Sequence, residues 1–149
     1  MVPSNSKTVV LAVNTNTSGV STLTATVDTK GFSFAKILCL SSSTGTASSG
    51  VTNNKIEDAD AATGTFATFA GFIEGTDWTA STSTNSTQNP KVLWNIPLQG
   101  RKRYLKVTFT HATAGVGEVI LAELERPSNA VSTAAEAFEN TNVGNIIGL

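Results

Sequence analysis

Apolar and polar residues alternate with a period of two along much of this chain. In "VSTLTATVD" (20–28), Leu23, Ala25 and Val27 fall on one side and Thr22, Thr24 and Thr26 on the other. That is the pattern of a half-buried strand. "RYLKVTFTH" (103–111) repeats it, with Leu105, Val107 and Phe109 on one face and Tyr104, Lys106, Thr108 and Thr110 on the other. "TVVLAV" (8–13) and "KVLWNIPL" (91–98) are apolar runs of strand length, and "NKIEDA" (54–59) reads as a strand with Ile56 turned inward. "FAKILCLS" (34–41) is apolar on both parities. It predicts a strand buried on both faces, or one whose second face is covered by a neighbouring subunit.

Turn signals separate these runs. Phe66, Phe69 and Phe72 have the spacing of a helical turn, but Gly64, Gly71 and Gly75 argue against a stable helix, and "TDWT" (76–79) reads as a loop. "ATAG" (112–115) predicts a turn, with "VGEVILAELE" (116–125) returning as the antiparallel partner of the strand before it. Seven or eight short strands predict an all-β, antiparallel β-sandwich of jelly-roll-like type. The pattern changes at Pro127, which divides the chain into a β domain (1–126) and an extended C-terminal arm (127–149). The arm holds one candidate helical turn, "STAAEAFE" (132–139), with Ser132 as its cap, and an apolar tip of Ile146, Ile147 and Leu149. Such a tail either packs back on its own domain or docks on a neighbour.

Composition narrows the class of molecule. The 149 residues suit one domain, and only 14% are charged, against ~25% in an ordinary globular domain. Ser- and Thr-rich loops such as "SSSTGTASSG" (41–50) and "TASTSTNSTQN" (79–89) fill the difference. A net charge of −1 provides no field to draw in a polyanion. The single cysteine, Cys39, excludes an intrachain disulfide and a cysteine-based zinc cluster. "MVPSNSKTVVLAV" predicts no signal peptide, and no run approaches the ~18 apolar residues of a membrane helix.

Catalysis is hard to build from this inventory, and no enzyme, cofactor or metal site is expected. His111 is the only histidine and has no G-x-S-x-G elbow to serve; Cys39 reads as a small buried hydrophobe. Glu57, Asp58 and Asp60 bring calcium to mind, but their spacing is not that of an EF-hand loop. Glu74 and Asp77, near Trp78, are joined only by proximity in sequence. "NTS" (16–18) and "NST" (85–87) match the glycosylation triplet by chance in an Asn/Thr-rich chain, and "GVGEVI" (115–120) lacks the features of a phosphate cradle.

The remaining feature is Arg101, Lys102 and Arg103, three of the ten basic residues side by side. Three charges are few for nucleic acid, since effective non-specific binders make ~6–10 phosphate contacts. The triplet reads either as an edge-protecting lead-in to the strand that follows or as a point contact with an acidic protein surface.

Taken together, "DTKGF" (28–32), "KIEDADAATGTF" (55–66), "GRKRYL" (100–105), "GEVILAELERP" and the Ala-rich tail resemble a family. It is the small head decoration, or cement, proteins of tailed bacteriophages, with genes near that of the major capsid protein. The likeness runs over most of the chain through short motifs, with Phe32 standing where the family favours tyrosine. The resemblance implies a jelly-roll β-sandwich on the capsid surface, made in the host cytoplasm. It would bind the major capsid protein and self-associate as a trimer or another symmetric oligomer, without nucleic acid or membrane. The expected contacts are Arg101, Lys102, Arg103, Phe138, Ile146, Ile147 and Leu149. The alternative is a carbohydrate- or receptor-binding module of a phage tail or fibre, with Trp78 and Trp94 stacking on sugar rings.

Overall fold

The computed structural model describes residues 6–14, 21–41, 54–78, 91–111, 117–126 and 145–147, and these contain strands and no helix. The strands are β1 (Ser6–Asn14), β2 (Ser21–Asp28), β3 (Phe34–Ser41), β4 (Lys55–Ala59), β5 (Ala67–Ile73), β6 (Lys91–Pro97), β7 (Tyr104–His111), β8 (Glu118–Glu125) and β9 (Asn145–Ile147). They form two sheets, ordered β1-β8-β3-β6-β9 and β2-β7-β4-β5.

The pairing is nested. β1 pairs antiparallel with β8, β2 with β7, β3 with β6 and β4 with β5. The first eight strands thus behave as one long hairpin rolled up, and the β3·β8 and β4·β7 pairings complete the sheets. This is the strand order of a jelly roll.

Alternation in the sequence becomes inside and outside. Ile37, Val92, Trp94, Ile96 and Ile120 project from one sheet, and Ile56, Leu105, Val107 and Phe109 from the other, all fully buried between the layers. The threonines of β2, Thr22, Thr24 and Thr26, face solvent. β3 behaves differently on its two sides: Ala35, Ile37, Cys39 and Ser41 are buried, while Phe34, Leu38 and Leu40 are half-buried on the outer face.

One local expectation needs correction. β8 does not return against β7; it lies in the opposite sheet between β1 and β3. A short apolar return after a turn looks the same in sequence whether it closes a hairpin or crosses to the other layer. The Phe69 and Phe72 stretch, where glycines already argued against a helix, is strand β5 with a bulge. Lys55 pairs with Ile73 and Glu57 with Thr68, so β5 carries extra residues between those pairs. Gly71 sits in the bulge at φ +94°, a conformation an L side chain rarely adopts. The bulge lets two rings three residues apart meet edge to face, at 5.1 Å and 61°.

The tail's tip returns to its own domain. β9 runs parallel to β6, with Val92 opposite Asn145, Leu93 opposite Ile146 and Trp94 opposite Ile147. The candidate helical turn with Phe138, the tip residue Leu149 and both glycosylation-like triplets lie outside the described residues.

Candidate functional site

The basic triplet occupies the turn from β6 to β7. Pro97 ends β6, Leu98 donates its N–H to the Ser33 carbonyl at 2.9 Å, and Arg101 donates to the Leu98 carbonyl at 3.1 Å. Gly100 provides the left-handed backbone, φ +77°, that this tight turn requires.

From that turn the three cations diverge onto three parts of the second sheet. The Arg101 guanidinium lies 4.0 Å from the centre of the Phe69 ring on β5, a cation–π contact. Lys102 donates its backbone N–H to the Asp58 carboxylate at 3.3 Å and pairs its ammonium with Asp60 at 3.6 Å. Arg103 forks onto Asp28 at the end of β2, with contacts of 2.8 and 2.6 Å. Its carbonyl accepts from the Thr29 N–H at 2.9 Å and from the Thr29 hydroxyl at 2.6 Å. The Arg103 guanidinium and the Lys30 N–H hold the Asp28 carboxyl at a pKa of about 2. The triplet therefore ties together β2, the β4–β5 turn and β5, using charges that a polyanion would otherwise need.

A second charged group lies further along the same sheet. Glu57 is nearly buried on β4, with Lys55 at 3.1 Å and Lys106 at 2.8 Å. The Lys106 ammonium also lies 4.7 Å from the centre of the Phe66 ring. Burial works to raise the Glu57 pKa, but the two lysines outweigh it and hold the carboxyl below the ordinary range.

The other acidic candidates serve as loop braces. Glu74 accepts from both the backbone N–H and the side-chain amide of Asn54, at 2.9 and 2.8 Å. Asp77 accepts from the Ile73 N–H at 2.9 Å. Among the described residues no three His, Cys, Asp or Glu side chains converge as a metal site.

Trp94 is fully buried and cannot stack on a sugar. Trp78 is half-buried and meets it edge to face, with ring centres 6.1 Å apart at 79°. Cys39 is also fully buried, and desolvation, reinforced by Glu118, pushes its thiol pKa well above the usual range. The His111 backbone pairs with Ser21 at the end of the β2·β7 ladder.

The unexpected surface is the outer face of the first sheet. Register places Val10, Leu121, Leu38 and Leu93 in one row across β1, β8, β3 and β6, with Val13, Val119 and Leu40 in the next. Val10 and Val13 are 59% and 63% exposed, the most open large apolar side chains described. Lys36, paired with Glu125 at 2.8 Å and Glu123 at 3.9 Å, marks the charged border of this band. The double parity of "FAKILCLS" was its signal in the sequence, while the β1 contribution was hidden by a bulge between Val10 and Ala12. No protein-family model, no curated protein and no solved structure matches the chain.

Proposed function

We propose that this chain is a structural protein of a virus particle: a decoration, or cement, protein that binds the major capsid protein on a tailed-bacteriophage head and stabilises the shell. The nested pairing of β1 with β8, β2 with β7, β3 with β6 and β4 with β5 carries the reading. Double-sheet jelly rolls recur in viral capsid and lectin domains. The lectin-like alternative loses one of its two tryptophans, because Trp94 is sealed in the core, and rests on the half-buried Trp78 alone.

The exposed valines of β1 support the same reading. Val10 and Val13 lie on a strand that pairs only with β8 among the described strands, so an apolar patch adjoins a sheet edge. Surfaces of this kind are used for association. In a shell, modest contacts repeated over many copies hold by avidity rather than by one strong interface. The basic triplet braces its own domain in this reading, and β1 replaces it as the principal contact. The test is binding to undecorated heads of the phage that encodes the chain. Saturable binding, weakened by Val10→Asp with Val13→Asp, is expected; no binding by the wild-type chain would end the proposal.

A further inference from the structure

Among the described strands β1 borders β8 alone, so its second edge presents backbone N–H and C=O groups to which a further strand can add. Folded sheets blunt such edges with charge, proline or a bulge. Thr8 to Asn14 includes neither a charged residue nor a proline, and Lys7 is the one charged residue of the strand. What guards this edge is the bulge between Val10 and Ala12.

The bulge decides which strand fits. Register with β8 sorts the side chains by face: Thr8, Val10 and Val13 stand opposite Glu123, Leu121 and Val119 on the outer side. Val9, Ala12 and Asn14 stand opposite the buried Ala122, Ile120 and Glu118 on the inner side. Leu11, the extra residue, packs on the core beside Ala12. Two successive inward residues break the period of two. A regular strand meets them only with its ladder interrupted, as β8 does. A strand carrying the same irregularity restores one-to-one pairing, and β1 of a second copy is such a strand.

We infer that this edge takes a second copy of the chain, β1 pairing antiparallel with the partner's β1 about a two-fold axis. Val10 then lies opposite the partner's Val13, Leu11 opposite the partner's Ala12, and Val9 opposite the partner's Asn14. In this register inward residues face inward ones and outward residues outward ones throughout Val9 to Asn14. Charge agrees with it: the paired stretch is neutral, and the two Lys7 side chains fall beyond it at opposite ends. Val10 and Val13, 59% and 63% exposed, meet across the axis, so the apolar row through Leu121, Leu38 and Leu93 continues from one copy into the next. One short ladder buries less than the ~1,200 Å² of a stable interface, so the pairing is weak and concentration-dependent in solution. The inference goes beyond the capsid reading and does not rest on it, because it concerns the isolated chain.

The test is disulfide trapping of the register. Val10→Cys and Val13→Cys replace exposed side chains and leave the core intact, and Cys39 is buried away from both. In the inferred dimer position 10 faces the partner's position 13 at ~4.5–5.5 Å between Cα atoms, while either position lies ~10 Å from its own copy. Mild oxidation of an equimolar mixture should give at least ~10-fold more cross-linked dimer than either variant alone. Sedimentation equilibrium of the wild-type chain should show a monomer–dimer equilibrium, weakened at least ~10-fold by Val10→Lys with Val13→Lys, which opposes like charges. Thr24→Lys, exposed on the other sheet, should leave it unchanged. Equal cross-linking in the mixture and the single variants would overturn the inference, as would a wild-type chain still monomeric at ~1 mM. A monomer that binds heads would sink this inference alone, and a dimer that does not bind them would sink the capsid reading alone.

Discussion

Arg103 and Asp28 form a forked ion pair one residue beyond the β2·β7 ladder. Nε lies 2.8 Å from Oδ1 and a terminal guanidinium nitrogen 2.6 Å from Oδ2, while Asp28 itself stands opposite Tyr104. The fork closes the end of the ladder and fixes the turn that carries the other two basic residues.

This pair should be visible in the acid limb of stability. The folded Asp28 pKa is about 2, below its unfolded value of ~3.9. Its contribution is therefore complete above pH ~4 and lost as pH falls toward 2. Thermal unfolding should show Asp28→Asn less stable than wild type by a constant margin from pH 5 to 7, with the two converging near pH 2. Arg103→Ala and Asp28→Asn should be non-additive in a double-mutant cycle. A margin that persists at pH 2 would show that the pair is not its cause.

Glu57 makes a different kind of ion pair: its own carboxylate is nearly buried, while Lys55 and Lys106 stay partly exposed. Glu57→Gln leaves Lys55 and Lys106 facing a neutral amide and should cost about 1–3 kcal/mol in urea unfolding at pH 7. Because its folded pKa lies below the ordinary carboxylate value, that cost should shrink as pH falls through the folded pKa.

Asn54 is fully buried and spans two elements: its side-chain carbonyl accepts from the Thr110 N–H at 2.8 Å and its amide donates to Glu74. Asn54→Ala strands the Thr110 donor and should lower stability by about 2–3 kcal/mol. Asn54→Asp keeps the acceptor but sets a second carboxylate against Glu74, and should be at least as damaging. Urea titration of the two variants checks both.

Trp94 reports on the core. Trp94→Ala should cost about 3–5 kcal/mol, while Trp78→Ala should cost less because its ring is half-buried. Neither change should alter binding to a glycan array, which is expected to show no specific signal. Saturable glycan binding lost on Trp78→Ala would favour the lectin-like alternative.

Particular residues show how far the sequence could be read. Alternation at Leu105, Val107 and Phe109 revealed β7 and its core face directly, because a strand's side chains alternate by construction. The same periodicity was unable to say which strand pairs with which. "VGEVILAELE" carries the right pattern for β8, yet its partners β1 and β3 are far away in sequence. At β5 the bulge around Gly71 broke the period of two, so Phe69 and Phe72 mimicked a helical spacing. The triplet was conspicuous in sequence, but its partners Asp28, Asp60 and Phe69 meet it only through the folded sheets. A charge cluster states its sign and not its address.

The proposed capsid role has its most direct test in counting. The proposal predicts that quantitative mass spectrometry of purified phage particles carrying this chain finds it in a fixed, high ratio to the major capsid protein, as a lattice-binding protein requires. A handful of copies per particle would contradict the account.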